Sequence, residues 1–255
     1  MKKIIKYIIA DILRSKIVIG YALLLLIISL TVFNLQASPS KGLLSLISIV
    51  LITLPLITLM YATIYMYNSA EFMELLVSQP VKRKTIWISF CIGISCALCL
   101  AFLVGVGLPV LLYSSNIIGL LLVITGLSQT LIFIGIALLA AVYSRDKARG
   151  IGIGILIWLY FSLIFDGFVL FLLFQFQDYP VDKFALVLSG LNPIDLSRIL
   201  LLLKMDASAL MGYTGAVFRE TLDGPVGITL GSLVLAAWIL IPVWLSLRKF
   251  GKKDL

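Results

Sequence analysis

Few residues in this chain can do chemistry, and their types exclude the familiar enzyme mechanisms. Histidine is absent from all 255 residues, which removes the usual general base and the commonest metal ligand. A Ser-His or Cys-His catalytic pair, a HExxH metalloprotease and a His-ligated haem are therefore excluded. No GxxxxGK[ST] loop occurs either, so we expect any ATP to be bound by another polypeptide.

One carboxylate, Asp166, lies inside a long apolar run near its middle. An acid at the centre of a membrane helix costs about 2.5–3.5 kcal/mol on insertion scales, so its side chain should face protein or a wet cavity. Two roles are open: an ionised gate or cargo-path residue, or a structural hydrogen-bond anchor between helices. The anchor is favoured because a lone buried carboxylate often becomes neutral. A single such acid also cannot form the aspartyl pair of an intramembrane enzyme.

Soft sulfur donors occur in two places. Cys91, Cys96 and Cys99 share one apolar run; thiolates suit Cu(I), but cysteine also packs well as a small apolar residue. Met205 and Met211 lie in a long outer segment, where a spacing of six residues gives weak support for copper binding. Packing is the favoured interpretation of both groups, and we predict that this chain binds no metal or other cofactor.

Membrane helices are the elements that must position these residues. Hydrophobic residues make up 62% of the chain and charged residues 13%, whereas soluble domains are roughly 45–50% apolar and about 25% charged. A globule of this length cannot bury such an excess. Six apolar runs are long enough to span a bilayer, namely 17–36, 43–67, 86–113, 117–143, 151–176 and 227–248.

The basic residues indicate the orientation. Fifteen of the 20 lysines and arginines fall on one side of the six-span layout and five on the other, so the positive-inside rule places both termini in the cytoplasm. We therefore expect a single all-α polytopic transmembrane domain over residues 1–255. Residues 1–16 place isoleucines at helical spacing among lysines, which predicts an amphipathic helix along the cytoplasmic headgroups.

The sequence of the cytoplasmic loop at residues 68–85 predicts a short helix at the membrane surface. Asn68 and Glu71 have the spacing of a capping box, and Pro80 ends the helix. The apolar face either forms a knob for a partner's socket or packs back on the bundle, and the sequence leaves both open. That face consists of Phe72, Leu75 and Leu76.

This loop resembles the first cytoplasmic loop of ABC-2 type ABC-transporter permeases. A leucine pair, a Ser or Thr, a proline and an arginine recur there in this order, and Leu75, Leu76, Ser78, Pro80 and Arg83 match. The acid-Gly-Gly-Thr sequence that precedes them in the family is replaced by Ala70-Glu71-Phe72. The resemblance implies a non-catalytic permease of the type V fold, whose coupling helix docks on a cytoplasmic ATPase that binds ATP and Mg²⁺. The coupling residues are then Glu71, Phe72, Glu74, Leu75, Leu76, Ser78, Pro80 and Arg83.

The outer segment at residues 177–226 is far longer than a hairpin needs, and we predict two short helices in it, at about 193–204 and 207–222. Asn192 can cap the first helix, Pro193 can begin it, and Asp195 complements its dipole. An apolar stripe on this helix should lie on the outer leaflet or under a periplasmic partner, and partner contact is preferred. The stripe consists of Leu196, Ile199, Leu200 and Leu203.

The run from Leu191 to Arg198 resembles the Leu-Asn-Pro-x-Asp-x-x-Arg segment of the NosY permeases. This resemblance implies a homodimer in the bacterial inner membrane with a NosF-like ATPase and a periplasmic, copper-handling NosD-like protein. The role implied is maturation of the copper-sulfur site of nitrous oxide reductase. The residues predicted to contact the periplasmic partner are Asn192, Pro193, Asp195, Arg198, Ile199 and Met205.

Two other functions remain open. One is an ABC-2 exporter of a lipid, peptide or drug. The other is a stand-alone carrier or channel, although the sequence has no ring of charges and no paired broken helices. Paired small residues at Gly150/Gly154 and Gly227/Gly231 indicate close helix packing, within the chain first and between copies second.

Overall fold

A computed structural model of the chain describes residues 1–36, 38–144, 146–176, 187–205 and 225–251. The described residues form helices and no strands. Six helical segments among them are long and apolar enough to cross a membrane, which confirms the predicted six-span, all-α fold. Their bounds are Lys16–Leu35, Pro39–Asn68, Arg83–Tyr113, Ile117–Tyr143, Lys147–Leu172 and Gly227–Phe250.

Eleven α-helices of the described residues form the spans and the short segments that join them. In chain order they are α1 (Lys2–Arg14), α2 (Lys16–Leu35), α3 (Pro39–Asn68), α4 (Ala70–Val77), α5 (Arg83–Phe102), α6 (Leu108–Tyr113), α7 (Ile117–Tyr143), α8 (Lys147–Leu159), α9 (Phe165–Gln175), α10 (Pro193–Lys204) and α11 (Pro225–Phe250). The predicted helix at 207–222 and Met211 lie outside the described residues.

Two spans contain a wider, π-helical turn. Leu103–Gly107 joins α5 to α6, and Tyr160–Ile164 joins α8 to α9. The first precedes Pro109, which has no N–H for the carbonyl four residues earlier and whose ring needs extra room. The second widens the fifth span at the level where α10 meets it. Such turns often occur at functional sites.

Close packing of the spans depends on small residues. Gly150 and Gly154 of α8 lie against Tyr67 and Leu59 of α3, and a Cβ at either glycine would collide with those side chains. Gly231 of α11 packs in the same way against a leucine of α10. These glycines are therefore used for packing within the chain, as predicted first.

The ends of several spans meet beside α4, and we call this side the α4 end of the bundle. The Trp87 indole stacks on Phe250 at 4.3 Å between ring centroids, and its Nε1 donates a hydrogen bond to Ser246 Oγ at 3.0 Å. The Tyr67 hydroxyl donates to the Ser144 carbonyl oxygen at 3.1 Å. Aromatic rings with a polar atom suit the membrane–water interface, where one part is apolar and another wet.

The amphipathic helix predicted near the start of the chain is present as α1, and it packs on the bundle. Ile8 and Ile12 are fully buried, and Ile8 lies directly over Gly93 of α5. The Tyr65 hydroxyl of α3 donates a hydrogen bond to Asp11 Oδ2 at 3.0 Å. One isoleucine edge of α1 is therefore covered by protein.

Candidate functional site

The short helix α4 stands at the junction of the second and third spans, as the sequence predicts. Its N-terminus differs from the prediction, because α3 continues through Asn68 and Ser69 occupies the N-cap position without a side-chain hydrogen bond. Asn68 does not cap α4; its Oδ1 accepts a hydrogen bond from Lys147 Nζ at 2.8 Å. This side chain therefore ties the end of α3 to the start of α8.

The two faces of α4 have different surroundings. Met73 and Leu76 are each 7% exposed, and Phe72 is half-buried with its ring 6.1 Å from Phe90 of α5. Leu75 is 65% exposed. The predicted apolar face of Phe72, Leu75 and Leu76 is thus divided, because two of its members pack on the bundle and one faces away from it. The exposed face consists of Glu71, Glu74, Leu75 and Ser78, which we call the α4 outer face.

The end of α4 is closed by local hydrogen bonds. Ser78 Oγ donates to the Leu75 carbonyl oxygen at 2.8 Å, which satisfies an acceptor in the last turn. The chain then turns through the exposed Pro80 and enters α5 at Arg83. A tight turn at each end of an eight-residue helix holds α4 in a fixed orientation.

Aromatic contacts connect α4 to three other helices. The ring of Tyr7 in α1 lies 5.2 Å from that of Phe72, between centroids, and Phe72 also contacts Phe90 of α5. Phe90 in turn lies 6.5 Å from Tyr65 of α3. Displacement of α4 would press on α1, α3 and α5 together, because close-packed side chains transmit strain.

At the opposite end, α10 is enclosed by the bundle. Asn192 is 0% exposed, and its Oδ1 accepts a hydrogen bond from the Ile194 N–H at 3.0 Å, as predicted for the N-cap. Its Nδ2 donates to the Phe161 carbonyl oxygen in the π-helical turn of the fifth span at 2.8 Å. Three of the predicted partner contacts, Asn192, Pro193 and Ile199, have side chains that are buried against their own chain in this structure.

The turn before α10 lies deep between the spans. Gln129 is 14 residues from the end of α7 at Tyr143, about 21 Å along the axis, and its Nε2 donates to the Pro193 carbonyl oxygen at 2.5 Å. Trp238 of α11 donates to the Gly190 carbonyl oxygen at 3.1 Å. Irregular backbone at membrane depth requires such protein partners because no water can replace them.

Sequence reasoning missed Gln129, which also donates to Ser197 Oγ at 2.7 Å and is fully buried. The signal was present: a lone amide within a spanning helix is expected to face the interior of the bundle. Assigning the Gln129 amide a hydrogen-bond partner in the outer segment would have predicted that α10 lies inside the bundle.

Asp166, Asp195 and Arg198 form a charged cluster between α9 and α10. Arg198 Nη1 lies 2.9 Å from Asp166 Oδ2 and 3.4 Å from Asp195 Oδ1. Asp166 is 19 residues after Lys147, roughly 28 Å along the axis. It therefore lies near the end of the fifth span, whereas the sequence predicts a position near the middle. The ion pair links two helices, which agrees with a structural anchor more than with a solitary gate.

The cluster holds two carboxylates for one guanidinium. Burial and the adjacent Asp166 carboxylate raise the pKa of Asp195 to about 6, although Arg198 acts in the opposite direction. The side chains of Asp166 and Arg198 are 29% and 31% exposed. The cluster is therefore partly accessible, and the charge of Asp195 changes as the pH passes through about 6.

The sulfur donors that the structure describes do not form a common site. Cys96 is exposed on α5, and Cys91 and Cys99 are half-buried without forming a disulfide. Across the described ranges, no three His, Cys, Asp or Glu side chains are grouped to hold a metal ion. Met205, at the end of α10, is half-buried and packs against the hydrophobic core.

The sequence also matches known proteins over most of its length. The sequence profile of the ABC-2 family transporter proteins matches residues 72–255. A probable ABC transporter permease protein NosY of Pseudomonas aeruginosa is 28% identical over 250 residues, 90% of each chain. A second probable ABC transporter permease protein NosY, from Stutzerimonas stutzeri, is 26% identical over 265 residues, 96% of this chain and 95% of its own length.

Proposed function

This chain belongs to the ABC-2 family of transporter proteins and is a permease subunit of an ABC transporter, and from this premise we propose that α4 is its coupling helix. The observation that carries the proposal is the division of α4 into an anchored face and an outer face. Leu75, 65% exposed beside Glu71 and Glu74, offers an apolar contact bordered by negative charge. An apolar anchor inside a polar rim is the usual arrangement of a protein interface.

The buried face of α4 then determines which helices move when the ATPase displaces α4. Phe72 contacts rings on α1 and α5, and Met73 and Leu76 are buried in the core. Movement imposed on the outer face therefore shifts the second and third spans together with α1. It is not absorbed by a flexible loop. ATP and Mg²⁺ bind on the separate ATPase subunit, so this chain is the mechanical and non-catalytic part.

We further propose that the chain acts as NosY does in a NosDFY transporter of the bacterial inner membrane. It forms a homodimer with a NosF-like ATPase pair and supports maturation of the copper-sulfur site of nitrous oxide reductase. Support comes from the two NosY relatives, which match nine-tenths or more of this chain. Within the Leu191–Arg198 segment that suggested this branch, five residues are buried: Asn192, Pro193, Ile194, Leu196 and Ser197.

The outer helix has a different part in this proposal from the one predicted. Asn192 and Gln129 fix α10 to the fifth and fourth spans, so α10 moves with the bundle. Asp195, Arg198 and Met205 keep partial exposure and remain the candidates for contact with a NosD-like protein. Copper or sulfur is cargo in this scheme and need not bind within the bundle.

Complementation tests the proposed role. The chain would be expressed, with its ATPase, in a denitrifying bacterium that lacks its own NosY, and the visible absorption of the purified reductase would report the copper-sulfur site. We expect the site to be restored by the wild-type chain and not by Leu75→Asp. An immature reductase, despite co-purification of chain and ATPase, would contradict the NosY role and favour export of a lipid, peptide or drug. Restoration without any ATPase would contradict the coupling role.

A further inference from the structure

The second span, α3, contains a proline in its interior. Pro55 is buried near the middle of the helix. Proline has no N–H for the carbonyl oxygen of Leu51, one turn earlier, and its ring crowds that turn. Sharp bends in helices most often occur at such residues. Because α4 follows α3 directly after Ser69, a bend at Pro55 would let the α4 end of the span move relative to its other half.

Two threonines weaken the same part of α3. Thr53 Oγ1 donates a hydrogen bond to the Ile49 carbonyl oxygen at 2.7 Å, on the N-terminal side of the proline. On the other side, Thr58 Oγ1 donates to the carbonyl oxygens of Leu54 and Pro55 at 2.7 and 3.2 Å. Hydroxyl groups that bond back to the preceding turn slightly destabilise a helix and often bend it. This stretch of α3 therefore combines three features that favour bending.

The helix α8 contacts α3 on both sides of the proline. On the α4 side, Gly154 lies directly against Leu59, and a Cβ at this glycine would collide with the leucine. On the far side, the Trp158 indole Nε1 donates a hydrogen bond to the Ile52 carbonyl oxygen at 3.1 Å. Between these two contacts α8 is a regular α-helix. It therefore restrains the two halves of α3 in one orientation.

The contact at Trp158 is a single hydrogen bond within the membrane-spanning part of the chain. Trp158 is 11 residues after Lys147, about 16 Å along the axis, where an indole N–H has no water as an alternative partner. The bond therefore favours the geometry seen here, and a bend that carries Ile52 away from α8 must break it. We propose that Pro55 is a hinge in the second span and that the Trp158–Ile52 hydrogen bond is the latch that holds it in this geometry.

Use of this hinge by the ATPase rests on the coupling role proposed for α4, whereas the hinge and the latch themselves do not. A push on α4 would bend α3 at Pro55 and break the latch, and the bond would form again when α4 returns. The other half of α3 packs on α2, with Gly42 against the Phe33 ring, so the movement is confined to the half that carries α4. If the bond only satisfies the indole N–H, its effect should not depend on a proline at position 55.

Hydrogen exchange of the full chain in detergent, followed by mass spectrometry, tests the latch without the ATPase. Trp158→Phe keeps an aromatic ring and removes the N–H donor. We expect amide exchange in the turn after Pro55 to become about fivefold faster, the effect of losing one hydrogen bond from a local opening equilibrium. Exchange at the two ends of α3 should stay unchanged, which separates opening of the hinge from general unfolding. In a Pro55→Ala background, Trp158→Phe should change exchange in this turn little.

Trp238→Phe is the matched control, because Trp238 Nε1 donates to the Gly190 carbonyl oxygen at the same distance of 3.1 Å but belongs to α11. It should leave exchange near Pro55 unchanged. Unchanged exchange in Trp158→Phe, or an equal increase in the wild-type and Pro55→Ala backgrounds, would overturn the proposal.

Addition of the ATPase, held in its ATP-bound state, tests the use of the hinge. Exchange near Pro55 should rise in the wild type and not in Leu75→Asp. A latch that responds to Trp158→Phe as predicted, while the ATPase changes nothing, would support the hinge and contradict the coupling role of α4.

Discussion

Two short helices outside the six spans, α4 and α10, have opposite surroundings. α4 buries Met73 and Leu76 and leaves Leu75 exposed, whereas α10 buries most of its apolar side chains and holds its first turn deep in the bundle through Asn192 and Gln129. The difference shows where each helix can act. α4 can receive a partner on its free face, while α10 offers a partner only its partly exposed Asp195, Arg198 and the adjacent Met205 and otherwise moves with the spans around it.

The sequences of the two helices explain part of this difference. Ile199 to Leu203 are five consecutive apolar residues, so apolar side chains point to every side of α10, and a helix that is hydrophobic all round is usually buried. In α4 the two glutamates lie on one side of the helix and leave the other side apolar. Matched substitutions in the two helices should therefore differ in their effects on stability and on partner binding.

The largest difference is expected between two neighbouring leucines of α4. Leu76→Ala removes a buried side chain and should lower the free energy of unfolding by about 2–5 kcal/mol, whereas Leu75→Ala should change it by less than about 0.5 kcal/mol. ATPase co-purification should show the reverse order for folded protein, with the loss confined to Leu75→Ala. Equal destabilisation by both substitutions, measured by unfolding in detergent, would remove the distinction between the two faces.

In α10 the strongest effect is expected at its cap. Asn192→Ala loses an N-cap, which costs about 1 kcal/mol, and leaves the Phe161 carbonyl oxygen without its buried donor, which costs about 1–3 kcal/mol. We expect a loss of about 2–4 kcal/mol in thermal or denaturant unfolding. Asn68→Ala, which removes an exposed bond to Lys147, is the control and should change stability little. A similar loss in both variants would argue that α10 is not held at this turn.

The charged cluster should give a smaller effect. Arg198→Ala leaves Asp166 and Asp195 facing each other, but both members of the main ion pair keep about a third of their exposure. We therefore expect a loss of about 1–2 kcal/mol, below that of a fully buried pair. Adding Asp166→Asn should recover part of the loss in a double-mutant cycle. No coupling between the two positions would show that the pair does not join α9 to α10.

The same cluster should make stability depend on pH. The pKa of Asp195 is raised to about 6 in the folded chain, whereas an unfolded aspartate titrates near about 3.9. The folded state therefore holds the proton more tightly, and stability should fall as pH rises from about 4 to about 6, then level off. Asp195→Asn should flatten the midpoint of thermal unfolding across this window. An unchanged pH profile in Asp195→Asn would exclude the Asp195 carboxyl as the source of the pH dependence.

Much of the fold could be predicted because it depends on local composition. The six spans, the short helix before Pro80 and the Asn192–Pro193 start of α10 follow from apolar run length, proline and capping residues. Long-range pairing could not be predicted in the same way. Arg198 and Asp166 are 32 residues apart, and Gln129 and Ser197 are 68 apart, so no periodic pattern links them.

The cap of α4 shows a second limit. Asn68 and Glu71 have the correct spacing, but α3 extends through Asn68, so the asparagine is not in the extended conformation that an N-cap requires. A helix boundary one residue later changed the role of this side chain from a cap to a link with Lys147. Spacing motifs are reliable only when the boundary of the preceding helix is known.

The central claim is that the α4 outer face contacts the ATPase subunit. Photocrosslinking tests it directly: a photoactivatable amino acid would replace Leu75 and, in a matched control, Leu112, which is 79% exposed near the opposite end of the third span. Both chains would be expressed with the ATPase in intact membranes. We predict a crosslink between chain and ATPase from position 75 and none from position 112. Crosslinks from position 75 only to lipid or to this chain itself would contradict the account.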